Sequence, residues 1–413
     1  MRLILYVLAA LLLAGCGGGG GGGGGSTPAT AAAPGPSLPL PSGDNVMAVV
    51  VDSGPQGRNV NRLYAKVTIC APGNASLCQT IDHVVVDTGS IGLRLLASEV
   101  RPELVQSLVN GPQGFPLANC VRFVDNTFGF GPVVSVDVRL GGKTAASLPI
   151  QLMGAPAFVE KDAVCPGGTR LDTVLGLGGK GVLGLGLFKQ DCGAACVIQS
   201  SNNYYFSCTS SACTAIQPSL APLTQQVANP ISRFANDNNG LLLDLPAASD
   251  QGNMSLSGFV VFGVNTRANN QLSAAKWLNT TTNAFINTVI SGKGLLRSFI
   301  DTGSNALFFD SATIPLCAGS GRMRFYCPSA RVNLSATLIG NDLAELPVTF
   351  SVDNALSLFS DPERAVLPTL AGNLDDPLGL EFDWGLPFFY GRRVFFGIEG
   401  ESSPVGIGPY YAF

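Results

Sequence analysis

The chain has one histidine in 413 residues, His83. That scarcity excludes catalysis by a cluster of histidines around a metal, and any Ser-His-Asp or Cys-His arrangement would have to use this single ring. His83 stands four residues before Asp87 among the apolar positions Val84 and Val86, which reads as a strand residue packing or hydrogen-bonding locally. Cys-x-x-Cys is also absent, so no metal site is expected. Charge is sparse, at 13% of residues, and the net charge of -4 comes without basic clusters, which argues against nucleic acid as a partner. The N-terminal apolar stretch, Leu3 to Ala14, is 12 residues long, short of the roughly 20 needed to span a bilayer.

What is abundant is glycine, 51 residues, and short runs of Val, Ile, Leu and Phe broken by Gly, Pro, Asn and Ser. That texture predicts an all-β chain with many turns. Residues 45–413 are enough for a large core and more than one domain. The segment Gly176-Leu177-Gly178-Gly179-Lys180-Gly181 has the spacing of a dinucleotide fingerprint but follows no clear strand-helix unit. It reads as a Gly-rich approach to a turn, and no cofactor is expected. The sequons at Asn74, Asn253, Asn279 and Asn333 read as surface turns.

Leu3 to Ala14, preceded by Arg2, suits a signal peptide over residues 1–15. It ends in Leu13-Ala14-Gly15-Cys16, which resembles the lipobox of bacterial lipoproteins. The resemblance implies cleavage before Cys16 and acylation of that cysteine, as in palmitate-bearing lipoproteins, with several acyl chains as a firm membrane anchor. Gly17 rather than Asp follows the cysteine, which in that family implies the outer membrane of the bacterial envelope, on its periplasmic or surface face. Nine glycines, Gly17 to Gly25, and a Pro/Ala-rich stretch make residues 16–44 a tether between anchor and folded part.

Of 11 cysteines, 10 remain once Cys16 is assigned to lipid, an even number in an oxidising compartment. Spacing leaves the connectivity open. Short loops favour Cys70–Cys78, Cys192–Cys196, Cys208–Cys213 and Cys317–Cys327, which leaves Cys120 with Cys165.

The most informative feature is a repeated tetrapeptide: Asp87-Thr88-Gly89-Ser90 and Asp301-Thr302-Gly303-Ser304. Each follows an apolar run (Val84 to Val86; Phe299-Ile300) and precedes another (Leu93 to Leu96; Ala306 to Phe309). A given tetrapeptide of common residues arises by chance in such a chain with probability below about 1%, so two copies in matching strand-turn-strand contexts indicate two equivalent halves. The glycines let backbone pass closely, and the neighbouring hydroxyls can fix the carboxylates. Two aspartates brought together cannot both ionise, so one proton is shared. The ionised partner can then take a proton from water while the protonated one polarises a carbonyl, which hydrolyses a peptide without histidine or metal.

At these turns the chain resembles the pepsin-like aspartic proteases. Gly181 to Gly186 is similar to the apolar-apolar-Gly segment beside the first catalytic loop of that family. Ser257 to Gly263 resembles the strand closing its first lobe. Trp384-Gly385-Leu386-Pro387-Phe388-Phe389 and Val394 to Phe396 resemble the matching segment and final strands of the second, and Val405 to Gly408 the terminal strand. The resemblance covers roughly residues 46–413 and implies a bilobal all-β fold, two β-barrel-like lobes (45–264 and 265–413) with the active-site cleft between them. It implies Asp87 and Asp301 as the catalytic pair, Thr88 and Thr302 as cross-lobe hydrogen-bonding partners, Gly89 and Gly303 as the close-approach positions, and Ser90 and Ser304 on the outer carboxylate oxygens. A lipid-anchored monomeric aspartic endopeptidase acting on peptide or protein substrates is the expected function.

The chain also departs from the family. The flap candidate, Cys120 to Gly142, has no tyrosine, leaving Phe123 or Phe128 to cover the site, and Leu386 replaces the acidic residue common after the glycine. An extra segment, about 189–214, holds four cysteines and reads as a disulfide-braced loop. The altered flap frames the alternative expectation: a catalytically weak or inactive peptide-binding lipoprotein on the same fold.

Overall fold

A computed structural model describes residues 41–105, 117–156, 158, 165, 168–208, 216–319 and 324–413. The expected signal peptide, Cys16 and all but the last residues of the tether lie outside the described residues, as does Cys213. Among the described residues no helix is long and apolar enough to cross a membrane.

The short apolar runs form strands, and the fold is all-β, with 16-stranded and 8-stranded sheets carrying nearly all the regular structure. Helices are brief, such as Val174–Leu177, which Gly178 ends in the left-handed region at φ 73°. The Gly-rich fingerprint is thereby a helix stop followed by entry into the strand Gly181–Leu185.

One arrangement occurs twice. The strand Asn74–Asp87 runs parallel to Gly181–Leu185, and Ile91–Leu96 runs antiparallel along its other side. The turn carrying Asp87 therefore joins two strands that flank a third. In the second half Lys293–Ile300 runs parallel to Phe382–Trp384 and Leu307–Phe309 antiparallel to it, so the turn carrying Asp301 sits in the same frame. The registers superpose residue by residue: Val86 faces Leu183 as Ile300 faces Trp384, and Leu93 faces Leu183 as Leu307 faces Trp384.

Val46–Val51, Leu256–Phe262, Gly240–Asp244, Arg393–Gly397, Tyr410–Ala412 and Trp277–Asn279 lie side by side in that order as one antiparallel succession in the larger sheet. Three of these strands come from beyond residue 264, so the two halves share a sheet floor. Beneath Asp301 the floor meets an aromatic stack, with Phe382 4.8 Å from Phe309 and 4.0 Å from Trp384. Trp384 is fully buried, and its Nε1 donates to Thr288 Oγ1 at 2.9 Å, which satisfies its polar atom.

Two sequence readings need correction here. Val405 to Gly408 is not the terminal strand. Gly406–Ile407 is a two-residue strand against Ser402–Ser403, with Ile407 66% exposed, while Tyr410–Ala412 is the last strand and is buried against Phe395–Gly397. The aromatic side chains there bury more apolar surface than Ile407 offers, so packing selects the later segment. The run Leu93 to Leu96 is not wholly apolar either, because Arg94 lies within it, 1% exposed.

Cys70–Cys78, Cys120–Cys165, Cys192–Cys196 and Cys317–Cys327 are paired as short-loop reasoning favours. Cys208 is disulfide-bonded; its expected partner, Cys213, lies outside the described residues. The extra segment starts with the helix Ala194–Ile198, held by Cys192–Cys196, and its strand Tyr205–Cys208 pairs with Leu117–Arg122. It therefore widens the hairpin formed by Leu117–Arg122 and Thr127–Leu140.

Candidate active site

The two repeated turns meet. The Gly89 N–H donates to Oδ1 of Asp87 and to Oδ1 of Asp301, both at 2.9 Å, so one backbone donor bridges carboxylates 214 residues apart in the chain. The Gly303 N–H donates to Asp301 Oδ1 at 2.7 Å. Both aspartates are buried, at 7% exposure. Glycine is required at both turns by proximity. A Cβ on Gly89 would lie 2.7 Å from Asp301 Oδ1, and one on Gly303 would lie 2.6 Å from Asp87 Oδ1. Either would drive the carboxylates apart.

The threonines lock the turns to each other. Thr302 N donates to Thr88 Oγ1 at 3.0 Å and Thr88 N to Thr302 Oγ1 at 3.1 Å, while Thr302 Oγ1 donates to Val86 O at 2.7 Å and Thr88 Oγ1 to Ile300 O at 3.4 Å. All four bonds are buried and cross from one half to the other. Thr302→Val keeps the shape but leaves the Thr88 N–H and the Val86 carbonyl without partners. The expected loss of stability is about 2–6 kcal/mol, at 1–3 kcal/mol for each of the two orphaned groups. Urea unfolding of the two proteins side by side measures it, and an unchanged midpoint would contradict a supporting role for this lock.

The outer oxygens are held by the serines, with Ser90 Oγ donating to Asp87 Oδ2 and Ser304 Oγ donating to Asp301 Oδ2 at 3.0 Å. Burial and then the neighbouring Asp87 charge push the Asp301 carboxyl well above the usual carboxylate range, so the shared proton is favoured on the Asp301 side.

His83 is placed as the sequence reading expects of a local packing residue. Its ring lies 5.2 Å from that of Tyr64, with Nδ1 3.1 Å from Asp82 Oδ2. The flap candidates divide. Phe128 is buried in a small cluster with Cys120, Phe130, Cys165 and Phe206, whereas Phe123 is half-buried where the hairpin turns.

Residues 41–413 match the model of the family described as Protein of unknown function (DUF3443). The chain belongs to that family. No curated protein matches it. Among solved structures, an aspartic proteinase from Irpex lacteus is similar at 14% identity and a TM-score of 0.49, over 89% of this chain and 96% of that one.

In this family member two charged residues escape a motif search. Asp383 is 1% exposed on the strand Phe382–Trp384, and burial pushes its carboxyl up to about 8, with the nearby Ser304 hydroxyl opposing the rise and the Asp87 and Glu381 charges adding to it. The signal available in the sequence is a lone acid between Phe382 and Trp384. Arg94, the lone charge in its run, donates to Asn119 Oδ1 and Gln151 Oε1, both at 2.7 Å, and to Asp191 Oδ2 at 2.9 Å.

The buried acids set a pH dependence of stability. Asp301 and Asp383 bind protons more tightly in the folded chain than in the unfolded one, where carboxyls titrate near 4. Their contribution is therefore fully favourable below about pH 4 and is lost as pH rises through about 8 for Asp383. Each proton difference is worth about 1.4 kcal/mol per pH unit in that window. Acids lowered by ion pairing, such as Asp82 beside Lys180, act below about pH 4 and do not cancel this slope. The thermal midpoint is expected to fall between pH 5 and pH 8; a midpoint that climbs across that window would contradict the assignment.

Proposed function

We propose that the protein is an aspartic endopeptidase, tethered to the bacterial envelope through acylated Cys16, that hydrolyses peptide bonds with Asp87 and Asp301. The observation that carries this reading is the single Gly89 N–H shared by both carboxylates at 2.9 Å. That proximity prevents both groups from ionising together and keeps one proton in the pair.

Asp87, ionised, accepts a proton from a water placed between the carboxylates as the water oxygen attacks the scissile carbonyl carbon. Asp301 gives its proton to the carbonyl oxygen, forming a tetrahedral diol. Collapse of the diol returns a proton to Asp301, while Asp87 delivers one to the departing amide nitrogen as the C–N bond breaks. Base and acid exchange roles, and the pair is ready for the next water. The threonine lock supports this by holding the carboxylates in register, which matters because misplacement by about 1 Å costs about 10²-fold. The doubled turn and the other pepsin-like segments of the sequence support the same reaction class.

The test is a mixed peptide library incubated with the full chain from acidic to neutral pH, with new termini read by mass spectrometry. Cleavage is expected, strongest on the acidic side, where the pair keeps its one proton. Peptides that bind tightly yet stay intact at every pH would instead establish the peptide-binding alternative. Incorporation of labelled palmitate that disappears in Cys16→Ser tests the anchor independently.

A further inference from the structure

A loop of the first half reaches the second catalytic turn. Asn61 is fully buried, with φ 48°, and its hydrogen bonds run to the second half. Its N–H donates to Ala365 O at 2.7 Å and its Nδ2 to Asn305 O and Leu367 O, both at 2.8 Å. Its Oδ1 accepts from Leu367 N at 2.7 Å and from Tyr390 Oη at 2.8 Å. Asn305 directly follows the turn Asp301-Thr302-Gly303-Ser304, so the backbone at Asn61 is pinned beside it. The next side chain, Arg62, reaches the turn itself, where its Nη1 donates to Gly303 O at 3.2 Å. Among the described residues no side chain donates to the matching carbonyl of Gly89 in the first turn.

Arg62 is half-buried, and the Gly303 carbonyl takes one of the five N–H groups of its guanidinium. Among the described residues no carboxylate pairs with it. None of its nitrogens is a buried atom without a partner, so the unused donors reach solvent. Its titratable neighbour Tyr64 supplies no counter-ion: burial pushes that hydroxyl up to about 12, and it donates to Gly178 O at 2.7 Å. The cation is also close to the pair. Gly303 N donates to Asp301 Oδ1 at 2.7 Å, so the backbone of one residue separates guanidinium from carboxylate, about 10 Å at most. The tips of the two turns reach solvent, Gly89 being exposed and Gly303 half-buried. An extended peptide laid over them advances about 3.3 Å per residue, which brings the side chains nearest the scissile bond within reach of Arg62.

We propose that Arg62 is a specificity-determining residue: its free guanidinium donors select peptides with an acidic side chain next to the scissile bond or one residue removed from it. This names a substrate class for the aspartate pair and rests on the reading of that site as one that takes peptides. A guanidinium matches a carboxylate with two parallel N–H···O bonds, and Arg62 keeps enough free donors for both while bound to Gly303 O. The Gly303 bond already holds one edge of the group, so capture of the carboxylate orders little that is not ordered beforehand. The selection runs against the preference of the pair itself. The single negative charge shared by Asp87 and Asp301 repels acidic side chains, and without Arg62 a neutral residue is favoured.

The test takes a sequence that is cleaved or tightly bound in the mixed library and caps it at both ends, so that the scanned side chain is its only carboxylate. Glu, Gln or Lys is placed at each position around the scissile or central bond in turn. The full chain is assayed as wild type, Arg62→Met, Arg62→Lys and Arg62→Glu at about pH 5, where glutamate is ionised. Binding of the same peptides is measured alongside by fluorescence anisotropy. Wild type is expected to favour Glu over Gln at one position by about tenfold in kcat/KM, the scale of a hydrogen bond to a charged group. That ratio is expected to fall to one or below in Arg62→Met, to survive in Arg62→Lys, and to turn into a preference for Lys in Arg62→Glu. Each ratio is taken within one protein, so partial unfolding of a variant does not imitate the result. If Arg62→Met fails to fold, the contrast between the Lys and Glu variants decides. Cleavage with no Glu preference in wild type, or with the preference unchanged in Arg62→Met, would overturn the proposal and leave the endopeptidase reading standing. Glu selectivity in binding without any cleavage would do the reverse, and a chain that neither binds nor cleaves any peptide would overturn both.

Discussion

Asp87→Asn and Asp301→Asn are each expected to lower kcat/KM on a cleaved peptide by about 10⁴-fold, the upper range for loss of a positioned acid or base. Each carboxylate serves as acid in one half of the cycle and base in the other, and an amide does neither. The isosteric change leaves the surroundings in place: Ser90 Oγ still reaches position 87, and the Gly89 and Gly303 amides still reach position 301. KM is therefore expected to change little, with the loss confined to kcat. Unfolding does not confound the experiment, because each variant removes one of two buried carboxyls, each 7% exposed, that compete for a single charge, and is expected to melt at or above the wild-type temperature. Retention of more than a tenth of wild-type turnover in either variant would rule out the paired-carboxylate mechanism.

Arg94→Met is expected to cost about 3–5 kcal/mol of folding stability, because it leaves Asp191 buried without its counter-ion. The pair is 1% and 6% exposed at the side chains, with a separation of 2.9 Å. Asp191 also accepts from Tyr205 Oη at 2.6 Å and Asn119 Nδ2 at 3.1 Å, so the network joins the strand after the first catalytic turn to the hairpin and to the disulfide-braced segment. Burial outweighs the Arg94 charge and raises the Asp191 carboxyl even with its partner present, which indicates how poorly the site tolerates an unpaired anion. The double variant Arg94→Met/Asp191→Leu is expected to regain at least half of the loss, since no charge then remains buried. Denaturant titration of the four proteins in the cycle measures this. Equal stability of wild type and Arg94→Met would show that the network carries no load.

How much of this was legible in the sequence depends on the range of the interaction. Each Asp-Thr-Gly-Ser is a local object: an apolar strand, a turn with glycine where backbone and side chains crowd, and a second apolar strand. The disulfides that spacing favoured close loops of 4 to 10 residues, where chain entropy leaves few rivals. By contrast, Arg94 was hidden inside a run read as apolar, and Asp383 beside a segment valued for its glycine. A lone charge among apolar residues announces burial or a surface turn equally well, and only its partners decide which. The terminal strand was misplaced for a similar reason, since alternating short residues at Val405 to Gly408 satisfy a strand pattern without supplying enough apolar surface to be buried.

The sequence by itself determined that the chain is rich in β-structure, built from two halves with one aspartate turn each, and unable to use histidine clusters. Those properties follow from composition and from periodicities a few residues long. Tertiary structure alone decided that the two turns lock together through Thr88 and Thr302, that strands from both halves share one sheet floor, and that a third buried acid, Asp383, lies near the pair. Partners 214 residues apart are chosen by the register of whole sheets and by which surfaces can be buried together, and no local pattern encodes that choice.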